Sequence, residues 1–417
     1  ADSIRLELAH LHLNQASALM FLDQTYEAET ALHTAINLFA QANDHLNLGR
    51  ARTNLGSLYL RTGRYADALT LFDSAARDII GDVTASADVK QEQLRNADAL
   101  LLDQATAYLA LNLLPEATMA LERCEVLFRA ADMPYELSQT LLTLGLLRLH
   151  TGAVSGAQTV LLEAERLFTK LQNSFGINRT GVALAALAYQ RDEYLSAAAR
   201  LDSLLAQTST SSEPTASDPA VAIRWDIGTL AEAYLLRLRL HVERNELAAA
   251  RQMAAVTGQS IGAISSGSVM ASGPQPLLPH LYFRLQHALS TIEAAAGNRE
   301  RAQHHLRTAI TVLENQRASL PVEEIRTAFL DDKTAVYNNL ILALLDEQSE
   351  TALSEAFDMV ERARSRALLD RLQATLPENR PVVANDAAAT RHAQIQQQLH
   401  WLYNQLFSEA GDHRADM

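Results

Sequence analysis

The feature that most constrains this chain is a small residue that returns at a near-fixed interval. Ala28, Ala68, Ala117, Ala157 and Ala197 stand in the same local context, and three of the four steps between them are about 40 residues. The clearest copy reads Asn54-Leu55-Gly56-Ser57-Leu58-Tyr59, then Gly63-Arg64-Tyr65, then Ala68, Phe72 and Ala75. Small residues at such spacing mark two helices that cross closely, and larger ones there would overpack at a cost of roughly 1–3 kcal/mol each. Gly145 with Gly152, Ala157, Leu161 and Ala164 makes a second good copy, and Ala105 with Tyr108, Ala117, Leu121 and Cys124 a third. Tyr194, Ala197, Leu201 and Leu204 mark the fifth. The one long step follows an insertion over Gly81–Gln93 that reads as a loop.

Beyond residue 206 the copies degrade. Ala249, Met253 and Val256 fit poorly, Gly297, Ala302, Leu306 and Ala309 fit well, and Ala356, Val360 and Ala363 fit with a lengthened first helix. The expected organisation is an array of about five repeats over 1–206, a Ser/Thr/Pro loop at 207–220, and a degenerate helix pair at 221–257. A flexible loop at 258–279, further repeats over 280–375, a linker at 376–389 and a connector helix and tail at 390–417 complete it. The fold class is all-α: a right-handed α-α superhelix of about eight helix pairs with a C-terminal linker helix. The composition agrees, since the 48% hydrophobic content is mostly Ala and Leu and only 6% is aromatic.

The repeat resembles the tetratricopeptide consensus of Leu-Gly, Tyr, Ala, Phe and Ala. A narrower resemblance lies near the C-terminus. Phe329-Leu330-Asp331-Asp332-Lys333, Val336-Tyr337-Asn338-Asn339-Leu340-Ile341, Ala356-Phe357 and Glu361-Arg362-Ala363-Arg364-Ser365-Arg366-Ala367-Leu368-Leu369-Asp370 resemble the tetratricopeptide segment preceding a CHAT domain, a caspase-like protease. His400-Trp401-Leu402-Tyr403-Asn404-Gln405-Leu406 is similar to the connector of that family, so the resemblance covers about residues 320–407. It implies a regulatory arm whose His-Cys dyad belongs to a downstream domain, in parents that are mostly bacterial.

Charge and residue inventory narrow the function. A net charge of −14 argues against nucleic acid, which needs a basic stripe. No apolar run is long enough to span a bilayer. The single cysteine, Cys124, excludes a disulfide framework and points to a reducing, cytoplasmic setting. Cys124 sits at a small-residue position of a repeat helix and reads as structural rather than as a nucleophile. The 13 histidines fall in pairs such as His10/His12, His280/His287 and His304/His305 with no metal-ligand spacing, so no metal and no cofactor is expected. Asp331 and Asp332 are adjacent on a helix and diverge, which suits solvation or ion pairing better than acid-base chemistry. No Gly-rich phosphate loop is present, and no catalytic residue is assigned.

The inner face of such an array is lined by the first helix of each pair. The residues expected there, as a protein-binding concave face, are Asn14, Ser17, Arg50, Asn54, Ser57, Arg61, Asp103, Thr106, Gln139, His150, Arg179 and Gln190. The lysine-rich carboxylate clamp of chaperone-binding repeats is missing, although Asn14 and Asn54 recur in register. Arg362, Arg364, Arg366 and Arg371, with Trp401 and Tyr403, are the expected docking surface for a following domain; the bland alternatives are a cationic helix end and packing back onto the array. The functional expectation is a non-catalytic scaffold or sensor arm that binds a protein or peptide in the groove and regulates a downstream CHAT-type cysteine peptidase. The alternative is the ligand-sensing arm of a STAND-type or LuxR-type transcription regulator.

Overall fold

The computed structural model of the 417-residue chain describes residues 2–22, 24–80, 100–206, 225–262, 278–321, 323–347 and 349–361. Among these there are helices and no strands. In chain order they are α1 (Asp2–Phe21), α2 (Thr25–Gln41), α3 (His45–Arg61), α4 (Tyr65–Ile80), α5 (100–110), α6 (Leu114–Ala130), α7 (Pro134–His150) and α8 (Val154–Lys170). They continue as α9 (Ser174–Gln190), α10 (Tyr194–Ala206), α11 (Ile227–Glu243), α12 (Leu247–Gly262), α13 (Pro279–Ala295), α14 (Arg299–Ala318), α15 (Glu323–Asp331), α16 (Thr334–Leu345) and α17 (350–361).

Local chemistry sets the helix ends. Asp44, Asn173 and Asp226 accept the backbone N–H of Asn47 (3.1 Å), Gly176 (2.7 Å) and Thr229 (2.9 Å), capping α3, α9 and α11. Pro115, Pro134 and Pro279 stand in first turns, where a missing N–H costs nothing. Most hairpin turns contain one residue of left-handed backbone, taken by Gly63, Gly152 and Gly297 in three of them and by Asn43, Asn112, Asp132, Gln172, Asp192 and Asn245 in others. At Gly63 the flanking bonds, Gly63 N–H to Leu60 and Arg64 N–H to Tyr59 (2.8 Å), close the helix end.

The recurring alanine has one structural meaning. Its N–H bonds the carbonyl of the residue just after the turn: Ala28 to Gln24, Ala68 to Arg64, Ala117 to Leu113, Ala157 to Ala153, Ala197 to Glu193, and Ala302 to Asn298. The equivalent in α12 is Ala250, bonded to Glu246 and wholly buried, so the register mark expected at Ala249 is shifted by one residue. Helices meet closely at these positions. A Cβ on Gly56 would stand 2.5 Å from the buried Phe72 ring, and one on Gly145 2.4 Å from Leu161.

Most helices pack on their chain neighbours, and the first helices of successive pairs also touch one another: α1 with α3, α7 with α9, α9 with α11, and α11 with α13. Second helices stand outside this row. Two sequence expectations change. The loop expected from residue 258 starts later, because α12 continues to Gly262: Thr257 and Ser260 hydroxyls bond back to Met253 (2.8 Å) and Val256 (3.0 Å), and Ile261 is buried. The lengthened first helix of the last pair is two helices, α15 and α16, broken at Asp332 and Lys333, where the Lys333 ammonium bonds the Phe329 carbonyl at 2.7 Å. The loop at 207–220, the linker 376–389 and the connector 390–417 lie outside the described residues.

The array also closes on itself. The turns after α3 and α5 meet later helices: Tyr65, Leu111 and Leu113 share a core with Phe283, Leu313, Phe329 and Val336. Asn112 donates to the Ala328 carbonyl at 2.9 Å, and a Cβ on Gly63 would stand 2.7 Å from Gln316 Nε2. Phe21, at the end of α1, stacks edge-on with Phe175, at the start of α9, with centroids 4.8 Å apart. The edge carrying first-to-second-helix turns in early repeats thus touches the opposite edge of later ones.

Candidate binding face on the first helices

Every residue expected on the inner face belongs to a first helix: α1 for Asn14 and Ser17, α3 for Arg50, Asn54, Ser57 and Arg61, α5 for Asp103 and Thr106, α7 for Gln139 and His150, and α9 for Arg179 and Gln190. The structure divides them by what their side chains already hold. Ser57 Oγ donates to Asp103 Oδ2 at 3.2 Å, Arg61 to the Met20 carbonyl at 3.0 Å, and Gln190 to the Leu149 carbonyl at 3.2 Å, each tying one repeat to the one before or after it. His150 Nε2 lies 2.8 Å from Asn112 Oδ1 and 3.9 Å from Asp332 Oδ2, so it serves the closure contact. Ser17 and Thr106 hydroxyls turn back to their own helices, and Arg50 reaches Asn47 Oδ1 at 3.4 Å.

Asn14, Asn54, Gln139 and Arg179 keep side chains without a hydrogen bond or ion pair among the described residues, and Asn14 and Arg179 are exposed. Their side-chain hydrogen-bonding capacity is unspent among the described residues. Asp103 keeps a partly accessible surface but is so enclosed that burial pushes its carboxyl up to about 7, with the Ser57 hydroxyl acting in the other direction.

Sequence reading missed the continuation of this face in α11 and α13. Arg50, Gln139, Arg179, Glu232 and Arg284 stand at one common remove before the left-handed turn residues Gly63, Gly152, Asp192, Asn245 and Gly297. Arg239 stands where Ser57 and Thr106 do, relative to its own turn. The left-handed residue was the usable signal, because it survives where the alanine pattern fades.

The readings of the other candidate residues stand as follows. Cys124 is wholly buried in α6. His10 packs edge-on against Phe39 at 5.1 Å, and among the described residues no three His, Cys, Asp or Glu side chains converge as a metal site would require. Asp332 pairs with Lys333 and faces His150. Among the described residues no helix is long and apolar enough to cross a membrane. Arg362, Arg364, Arg366, Arg371, Trp401 and Tyr403 lie outside the described residues.

Residues 7–77 match the family model for the tetratricopeptide repeat. The fold is a tetratricopeptide-like solenoid. In this solenoid helix pairs are stacked with first helices side by side. Solved structures similar to the chain include a tetratricopeptide repeat protein from Parabacteroides merdae ATCC 43184, at 15% identity over 78% of this chain and 100% of that one, with a TM-score of 0.41. A Rap protein complexed with competence and sporulation factor is similar at 12% identity over 84% of this chain and 99% of that one, with a TM-score of 0.42. Yeast Tom70 follows at 10% identity over 88% and 96%, with a TM-score of 0.24. No curated protein matches the chain.

Proposed function

We propose that this chain is a non-catalytic protein-interaction scaffold that holds a peptide or protein segment along its first-helix face. The observation that carries the reading is the contiguous row of first helices, on which Asn14, Asn54, Gln139 and Arg179 present polar side chains with no intramolecular partner among the described residues. Unspent donors and acceptors aligned along a row suit an extended segment, whose backbone and alternate side chains both need partners. The test is positional. Short linear peptides are selected on the full chain by display, and a photo-crosslinking residue is then placed at Asn54 or Gln139, or at the exposed Val126 of second helix α6. Crosslinking from Asn54 and Gln139 but not from Val126 is the expected result; crosslinking from Val126 alone puts the ligand on the wrong face.

The finer reading is that the scaffold is the regulatory arm of a CHAT-type cysteine peptidase, and its support is the resemblance carried by residues 329–341 and 356–370. A partner that favours one curvature of the array would shift the active population of the attached domain by its differential affinity for the two states. Reading the coding sequence past Met417 decides it: a caspase-like His and Cys is the expected finding, and a stop codon or a DNA-binding domain removes the peptidase reading while leaving the scaffold.

A further inference from the structure

Interior first helices of the array carry a row of residues that shares a core with the preceding second helix. On α3 the row is Leu48, Ala51, Leu55 and Leu58, in common cores with Ala28, Leu32, Ala35 and Phe39 of α2. All four are buried. On α7, Leu137, Leu144 and Leu147 share a core in the same way with Ala117, Leu121 and Phe128 of α6, and on α11 Leu230 and Leu240 do so with Leu201 and Leu204 of α10. Counted back from the recurring alanines, the equivalent row on α1 is Leu8, Leu11, Gln15 and Ala18.

That row is open. Leu8 is 42% exposed and Leu11 61%, and Gln15 and Ala18 are exposed with them. Ile4 (72%) and Leu22 (55%) extend the strip by about one helical turn at either end. Burial of such residues is what holds the interior seams together, and the outermost helix of a repeat array ordinarily turns a polar face outward instead. A contiguous apolar strip along one helix edge is an interaction surface rather than scattered surface leucines.

Symmetry and charge select the occupant. A single strip serves both partners when a second copy meets it about a two-fold axis, the commonest closed symmetry of oligomers. With the axis at the level of Leu13, two antiparallel α1 helices set Ile4 of one copy opposite Leu22 of the other, Leu8 opposite Ala18, and Leu11 opposite Gln15. Leu8 against Ala18 is the same large-against-small match that Leu48 and Ala51 make with Ala35 and Phe39 in the first interior seam. The chain carries a net charge of −14, yet α1 holds only Asp2 and Glu7 against Arg5, so two copies meet there with little mutual repulsion. We infer that the outer edge of α1 binds α1 of a second copy of this chain, antiparallel, as a symmetric dimer contact. The inference continues the seam geometry of the array and is independent of what the first-helix face binds.

The experiment is sedimentation equilibrium on the full chain from about 1 to 200 µM, repeated with the double variant Leu8→Glu, Leu11→Glu and at raised salt. Both positions are exposed, so the variant should fold, which circular dichroism and the thermal midpoint check. The wild-type chain should pass from monomer to dimer with concentration, the double variant should associate at least about tenfold more weakly, and salt should leave the wild-type dimer intact or tighten it by screening the like net charges. Because Cys124 is buried, Gln15→Cys supplies one accessible thiol; a short bis-maleimide should join two copies through it and not through Val126→Cys on α6, where Val126 is 69% exposed. A chain monomeric throughout, a dimer indifferent to the double substitution, or a dimer that Gln15→Cys fails to join overturns the inference. Binding of a synthetic peptide of residues 65–80 to a monomeric wild-type chain but not to the double variant assigns the edge to a helix of another polypeptide and also overturns it.

Discussion

Two buried groups pull the pH dependence of stability in opposite directions. Asp103 has a carboxyl raised to about 7 by burial against an unfolded value near 3.9, so the folded state holds a proton that the unfolded state has lost, and stability falls as pH rises between those values. His280 is lowered to about 4 by burial from an unfolded value near 6.5; the unfolded state binds the extra proton, and stability falls as pH drops through that interval. The two slopes oppose each other between about pH 4 and 6.5. Asp103→Asn should therefore leave a midpoint that rises with pH across this range, and His280→Gln one that falls. Thermal melts at intervals from pH 4 to pH 8 check both. Each effect is about 1–3 kcal/mol, below the full conversion because both side chains keep some solvent contact. At this scale the sequence was informative about identity and silent about environment. Asp103 was legible as a first-helix position, but its enclosure by neighbouring repeats was not. Arg239 and Arg284 were missed because Leu247-Ala248-Ala249-Ala250 offers no contrast from which to set the register, and the alignment slipped by one.

Helix pairs are set by where small residues admit large ones. Gly56 gives up its side chain to the Phe72 ring, whose Cε1 would stand 2.5 Å from an added Cβ, and both residues are buried. Gly56→Ala should lower stability by about 1–3 kcal/mol through overpacking, despite the higher helix propensity of Ala; chemical denaturation reads it. The paired variant Gly56→Ala, Phe72→Leu should recover part of the loss, since a shorter side chain vacates that space. This level was the most legible in the sequence, because the crossing point of two helices constrains residue size strictly and recurs with every unit. The break between α15 and α16 was not. Phe329-Leu330-Asp331-Asp332-Lys333-Thr334 contains neither Gly nor Pro, and the helix ends there because Phe329 is buried in the closure core while the Lys333 ammonium takes its carbonyl.

A linear solenoid feels only nearest neighbours, so its repeats can unfold piecemeal. Here Tyr65, Leu111 and Leu113 share a core with Phe329, which is 1% exposed, and that contact couples early repeats to late ones. Phe329→Ala should cost about 3–5 kcal/mol and raise amide hydrogen exchange in the turns at 62–64 and 111–113 as well as around residue 329 itself. Exchange that changes only near residue 329 would mean the closure contact adds no coupling. Nothing periodic in the sequence announces this contact, because its partners are more than 200 residues apart, as are Asn112 and Ala328 at a separation of 216. The same arrangement bears on how such a chain can change over generations. The short turns that join first to second helices carry the closure contacts at Gly63, Asn112 and His150. Inheritance is therefore held to a constant length along this border of the coil, because each insertion there would break what the turn touches.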